Sequence, residues 1–316
     1  MNNILPIFSY LQSKAGAGRK TALVTLTSVT GASTRNPGAH MAVADDGSFS
    51  GSFSGGCIEA AVVSEALEVI EGGRPREVRF GAGSRYLDIR LPCGGGIDLL
   101  FTPIMDDAIV STIFDRIRNR VPLTITLDRE SGDIGCKTQM ANRISVDRRG
   151  SQILVHHIPA AKILILGHGP SVEHLVRLSG SYGTDCAVLS PDPEVVDQVQ
   201  NLSITADLLK TPDADLRLDA DPWTACIFYF HDHDWEAHLM KQALCSPAFY
   251  VGAMGSRATH AARQKYLEDI GVPEHECARI SAPIGLIPST RDPATLALST
   301  LAEIIESYHQ SFGYRT

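Results

Sequence analysis

The chain has 316 residues, a length for two domains, with 44% hydrophobic and 20% charged residues; that composition is globular, and its core needs no disulfide or metal staple. A formal net charge of −8, with Lys and Arg scattered rather than clustered, excludes a general nucleic-acid binder but still allows a small anion held by backbone amides. Seven cysteines with no C-x-x-C pair exclude a disulfide framework and a structural zinc knuckle, and point to a reducing compartment. The opening MNNILPIFSYLQSKAG lacks the basic and apolar regions of a signal peptide. No apolar run nears the ~20 residues of a membrane helix, so a cytoplasmic location away from membranes is expected.

In chain order, Ile4, Ile7, Phe8 and Leu11 lie at helical spacing and predict an amphipathic first helix. TALVTLT, residues 21–27, is a strand, and a polar loop GASTRNPGAHM follows it. MAVADDGSFSG is a hairpin turning at Asp46-Gly47. CIEAAVVSEALEVIEGG is a helix with Ile58, Ala61, Val62, Ala66, Val69 and Ile70 on one face, stopped by Gly72-Gly73. Strands are expected at 77–80 and 97–102, a helix over 106–120, and strands joined by polar turns over 122–157. From Lys162, short apolar strands (KILILG, CAVLS, ACIFYF, AFYVGAMG) alternate with amphipathic helices. The last helix opens with Asp292 as N-cap and Pro293 at its first position. This alternation predicts a parallel sheet covered on both faces. The fold class is therefore α/β: a Rossmann-like doubly wound parallel sheet over 160–316 and a smaller α/β domain over 1–159.

Six elements carry candidate chemistry. Gly55-Gly56-Cys57 stands at the predicted start of a helix, where free N–H groups favour an anion and the dipole favours a thiolate; a buried, inert cysteine after a turn is the other reading. The glycines of Cys93-Gly94-Gly95-Gly96 answer a geometric need, either close ligand approach or a tight turn. Arg35, in a loop fixed by Gly and Pro, is a phosphate or carboxylate clamp or a solvated surface arginine.

Gly167-His168-Gly169 joins a strand to a helix as a dinucleotide fingerprint does, but Val172 takes the third glycine position and Ser190 the acidic one. This fits phosphate binding and stops short of an NAD site. His231-Asp232-His233 follows a strand end, where α/β sheets bind ligands. The pair has zinc-ligand spacing, but Trp235 stands where a metallo-β-lactamase-type run has histidine, and a hydrogen-bonding cleft wall is the preferred reading. Gly255-Ser256-Arg257 offers amides, a hydroxyl and a guanidinium at another helix start, an anion site or an ordinary turn with a Ser cap.

With these residues in place, the chain resembles the XdhC/CoxI family of xanthine dehydrogenase accessory proteins over nearly its whole length. The resemblance rests on SGGCIEAAV, PCGGGIDLLFTP, ILILGHGPSVEHLVRL, YVGAMGSRATHAARQKYLEDIG and ARISAPIGL. Cys57 matches the family's Gly-Gly-Cys cysteine, Cys93 its Cys-Gly-Gly cysteine and Arg35 its loop arginine, here preceded by Thr34 rather than proline. Ser54 replaces one glycine of the family's triplet, and Ser190 stands where many members have aspartate.

The resemblance implies a molybdenum-cofactor chaperone. Such a protein binds molybdopterin, supports exchange of an oxo for a sulfido ligand with sulfur from a cysteine desulfurase, and passes the cofactor to an apo molybdenum hydroxylase of the xanthine dehydrogenase type. Soft molybdenum–sulfur bonding suits a thiolate. On this reading a cleft is expected between the domains, with Cys57 on one wall and the 167–169 and 231–233 loops on the other. Symmetry preferences make a homodimer the expected assembly. The competing reading is an NAD(P)-dependent oxidoreductase built on the second domain.

Overall fold

The computed structural model describes residues 3–84, 94–138, 143–213, 216, 218–230 and 233–313, the side chains of residues 233 and 234 excepted. The chain divides into two compact units, Met1–Pro159 with Phe312–Thr316, and Ala160–Ser311.

Unit 1 carries α1 (Leu5–Gly16), β1 (Thr21–Thr30), β2 (His40–Ala44), β3 (Phe49–Ser50), α2 (Glu59–Gly72), β4 (Arg76–Gly81), β5 (Gly96–Pro103), α3 (Asp107–Arg118), β6 (Leu123–Asp128), β7 (Ile134–Thr138), β8 (Ser145–Arg149) and β9 (Gln152–His157). These strands form two antiparallel sheets, ordered β3-β2-β1-β5-β4 and β7-β6-β9-β8. Strand side chains alternate between faces, and β1 is buried on both. Ala22, Val24 and Leu26 pack with Val62, Ala66 and Val69 of α2. Leu23 packs on the other side with Phe8 and Leu11 of α1, Val110 and Ile113 of α3, and the apolar face of the second sheet. Each such side chain withdrawn from water contributes about 1.5–3 kcal/mol. Gly73 ends α2 in the left-handed conformation, φ 62°, its N–H returning to the Val69 carbonyl, a closure glycine makes without strain.

A buried histidine pair ties the two sheets of unit 1. His40 Nε2 lies 2.9 Å from His157 Nε2, and His40 Nδ1 lies 2.9 Å from Thr25 Oγ1. His157 Nδ1 is buried without a hydrogen-bond partner. One proton assignment leaves no buried N–H stranded: His157 Nε2–H donates to His40, and His40 Nδ1–H donates to Thr25. Burial keeps both rings neutral, lowering the His40 pKa to about 3 and that of His157 well below its ordinary value.

Unit 2 carries β10 (Lys162–Gly167), α4 (Pro170–Tyr182), β11 (Asp185–Ser190), α5 (Pro193–Gln200), β12 (Thr205–Leu208), β13 (Thr224–Tyr229), α6 (His233–Cys245), β14 (Tyr250–Ala253), α7 (Arg257–Asp269), α8 (Glu274–Cys277), β15 (Ile280–Ser281) and α9 (Pro293–Phe312). All six strands are parallel, in the order β12-β11-β10-β13-β14-β15. Successive residues of β10 serve opposite faces. Ile163 and Ile165 pack against α4, α5 and α9, whereas Leu164 and Leu166 face the side covered by α6 and α7. This is the doubly wound Rossmann arrangement the apolar strand runs predict. Strands β12 and β15 add to the four read from sequence; one is a four-residue edge strand containing Asp207 and the other has two residues, too short for a periodic signal. Asp292 caps α9 as expected, accepting from the N–H and hydroxyl of Thr295.

Candidate functional site

Three candidate segments meet at one end of the five-stranded sheet. The Arg35 loop packs on the Cys57 loop, since Thr34 Oγ1 donates to the Phe53 carbonyl at 2.5 Å and Arg35 Nε to the Ser52 carbonyl at 3.2 Å. On its other side the Arg35 loop meets the glycine run, because a Cβ on Gly95 would lie 2.2 Å from the Ala32 carbonyl oxygen. The need that Gly95 answers is therefore approach by the protein's own backbone. Gly96 is pressed likewise by Ala82 and Arg79. Gly94, at φ 68°, has open space where a Cβ would stand. Cys93 lies outside the described residues.

Cys57 is exposed, so the buried, inert reading of this position falls. Arg35 is exposed too, and its terminal nitrogens meet no acceptor among the described residues, leaving them available to an anion. Gly55 and Gly56 have φ of 76° and 123°, with nothing among the described residues within 4 Å of a built Cβ, so both are glycine for backbone conformation.

The expected free amides beside the thiol are not found. The helix begins at Glu59 rather than at Cys57, with Ile58 as N-cap, and the loop amides already hold an anion, the Glu59 carboxylate. Oε1 accepts from Phe53 N (3.0 Å), Ser54 N (2.9 Å) and Ser52 Oγ (2.8 Å). Oε2 accepts from Gly56 N (2.8 Å), Ile58 N (3.2 Å) and Ser54 Oγ (2.8 Å). The remaining amides also have partners: Gly55 N donates to Ser52 Oγ, and Cys57 N to Ser54 Oγ, both at 3.0 Å. Burial opposes ionisation of Glu59, but the hydrogen bonds from Ser54 and Ser52 outweigh it and hold the carboxyl well below the usual range. The sequence signal for this was faint. Glu59 reads as an ordinary first-turn acid, favoured by the helix dipole, and its grip on upstream amides appears only once the loop is folded back.

Three other described cysteines contrast with Cys57. Cys226 and Cys277 are buried and Cys186 half-buried; desolvation lifts the thiol pKa to about 12 for Cys226 and about 11 for Cys186, which suppresses thiolate chemistry. Only Cys245 shares the exposure of Cys57 among the described residues.

In unit 2 the 167–169 and 255–257 segments follow the carboxyl ends of the parallel strands β10 and β14. Numbered from β10, the sheet order is 3-2-1-4-5-6, and its switch point, where such sheets bind ligands, lies between β10 and β13. Gly167 is there because a Cβ would strike the Tyr229 carbonyl at 2.5 Å. His168 donates its N–H to that same carbonyl, and its ring stands edge-on to Phe230 at 6.0 Å. Gly169, at φ 84°, caps α4, with nothing among the described residues within 4 Å of a built Cβ. At the position of an acidic ribose ligand, Ser190 is buried, and Asp192 caps α5 by accepting from Glu194 N.

His231 and Asp232 lie outside the described residues, as does the side chain of His233, whose backbone opens α6. Among the described residues no cluster of three His, Cys, Asp or Glu side chains has metal-holding geometry.

The Gly255-Ser256-Arg257 turn is largely self-contained. Ser256 Oγ accepts from Thr259 N at 3.1 Å as the N-cap of α7, while Arg257 is exposed. Beneath it lies a buried ion pair that sequence patterning missed: Arg263 Nε donates to Glu236 Oε2 at 3.0 Å, and Arg263 NH2 to the Met254 carbonyl at 2.8 Å.

These two units define a class of protein: a Rossmann-type domain in one chain with an α/β domain that displays an exposed cysteine on a glycine loop. Residues 163–304 match the XdhC Rossmann domain, and residues 15–81 the XdhC and CoxI family. The chain is 33% identical over 288 residues to the molybdenum cofactor insertion chaperone PaoD of Escherichia coli, covering 91% of this chain and 83% of that one. It therefore belongs to the XdhC and CoxI family. A more distant relative, the uncharacterized protein YqeB of Escherichia coli, is 23% identical over 291 residues; the match takes in 89% of this chain and 42% of YqeB. A solved structure described as a xanthine dehydrogenase from Bacillus halodurans shares the fold, with a TM-score of 0.78, 20% identity, and 98% and 96% of the two chains covered. Among the described residues, no helix is long and apolar enough to cross a membrane.

Proposed function

We propose that this chain is a molybdenum-cofactor chaperone: it binds the molybdopterin cofactor as cargo, holds it during sulfuration, and delivers it to an apo molybdenum hydroxylase of the xanthine dehydrogenase type. The single observation that carries the reading is Cys57, exposed on a fully hydrogen-bonded loop beside Arg35. The name of the Escherichia coli relative supports it. A thiolate is the matching soft donor for molybdenum, and an exposed guanidinium suits the cofactor's phosphate. The amides of residues 53–58 take no part in anion binding on this reading, since Glu59 and its serines occupy them. Cys93 and Gly94 would flank the same place. The 167–169, 231–233 and 255–257 loops would hold the nucleotide or pterin portion of the cargo at the strand ends of unit 2. A cysteine desulfurase supplies the sulfur as a persulfide, and the protein works in the cytoplasm as a homodimer.

The test is expression in a molybdopterin-producing host, purification, oxidation and fluorescence detection of the co-purified pterin. Cys57→Ala is expected to lower retained pterin about tenfold, and retention equal to wild type would remove the thiol from the proposal.

A second reading, an NAD(P)-dependent oxidoreductase, draws on the strand order and on Gly169 at the start of α4. It is disfavoured by Asp192, whose carboxylate is engaged as a helix cap. Titration with NADH and NADPH by fluorescence separates the two; micromolar binding coupled to hydride transfer would favour the oxidoreductase.

A further inference from the structure

Every amide from Phe53 to Ile58 is committed inside the loop, and the Glu59 side chain is the hub of that network. Glu59 is 6% exposed, and no Lys or Arg pairs with it among the described residues. A buried carboxylate is ordinarily balanced by a cation; this one is balanced by converging N–H and O–H dipoles, which the positive φ of Gly55 and Gly56 aim at one point. The network is more than a helix cap. A cap accepts from amides inside the first turn, whereas Glu59 reaches back to amides that precede its own helix. Gly56 and Ile58, the chain neighbours of Cys57 on either side, both bond Oε2, and Cys57 N bonds the Ser54 hydroxyl that itself donates to Oε2.

We infer that Glu59 is the positioning residue of the Cys57 loop, clamping the backbone on both sides of the cysteine so that its thiol is held exposed on the loop against which Arg35 packs. The inference rests on the reading of Cys57 as the working thiol. The role is positional rather than activating. The amides that would have stabilised a thiolate are occupied by Glu59 and Ser54.

The inference is tested on the full chain with Glu59→Gln, which keeps the shape of the side chain and removes its charge, and with Ser54→Ala, which keeps the charge and removes one strut. Hydrogen–deuterium exchange is followed over residues 52–60 and over the interior of α2, and pterin retention is measured as above. In Glu59→Gln one of the two acceptor oxygens becomes a donor NH2 facing the loop amides, so the network cannot close as before. The loop amides should exchange about tenfold faster or more while α2 keeps its protection, and pterin retention should fall. Ser54→Ala is expected to speed loop exchange, and it becomes the deciding variant if Glu59→Gln loses protection in α2 as well. Loop amides exchanging at wild-type rates in both variants, or pterin retention equal to wild type in Glu59→Gln where Cys57→Ala loses it, overturns the inference. The functional reading fails separately: if these loop effects appear but Cys57→Ala retains pterin like wild type, the clamp stands and the role of the thiol falls.

Discussion

Glu59→Ala deletes six hydrogen bonds to a buried carboxylate and leaves several amides and two serine hydroxyls seeking other partners. It is expected to destabilise unit 1 by roughly 2–4 kcal/mol, read as a lower urea midpoint. The pH sign follows from its depressed pKa. The unfolded carboxyl takes up a proton first, near its ordinary value of about 4.3. The stabilisation is therefore complete above about pH 5 and is lost as pH falls through the acid range toward the folded-state value. Gly95→Ala is a second check at this scale. The added methyl meets the Ala32 carbonyl at 2.2 Å, a clash with backbone that no rotamer relieves. A loss of about 1–3 kcal/mol is expected in the same urea titration. The position of Cys57 was legible from its glycines, but the fate of the amides around it was not. Hydrogen bonds between a side chain and the loop before it leave no periodic trace in the sequence.

The strands and helices themselves were legible to within a few residues wherever apolar periodicity was strong. Helix α2 declared its buried face and its terminating glycine, and β10 declared burial on both sides through its uninterrupted run KILILG. What periodicity does not report is which polar side chains hold neighbouring elements together. Helices α6 and α7 are tied by the buried pair of Glu236 and Arg263, whose side chains are each 3% exposed. Arg263→Met removes the cation from a buried carboxylate and should cost about 3–5 kcal/mol, whereas combining it with Glu236→Leu removes both charges and should recover most of that loss. A double-mutant cycle in urea measures the difference, and equal losses in the single and double variants would contradict it.

At the scale of the whole molecule, the fully buried histidine pair between the two sheets of unit 1 contributes to acid sensitivity, beside His260 and His309, whose pKa values burial also lowers. Both rings of the pair are neutral when folded and titrate near 6.5 when unfolded. The unfolded state thus binds protons first, and stability is lost as pH falls below about 6.5. The slope is up to about 1.4 kcal/mol per pH unit for each histidine, continuing for His40 until its folded form protonates at about 3. His157→Gln should roughly halve the pair's contribution to this slope between pH 6.5 and 5, a window in which Glu59 is still fully ionised. Thermal melts at half-unit intervals test it, and an unchanged slope would mean that the pair does not contribute to the acid limb.

The sequence by itself determined the elements and the class of fold, because burial of an apolar face imposes a period that can be read along one dimension. It also determined the family, through glycine and cysteine motifs whose order along the chain is distinctive. Only the tertiary structure decided which residues meet: that the Arg35 loop lies between Cys57 and Gly95, that Glu59 fills the amides a ligand was expected to take, and that two histidines 117 positions apart share one proton. Those relations depend on the chain returning to the same place, and the free energy of each contact resides in the pairing rather than in either residue alone.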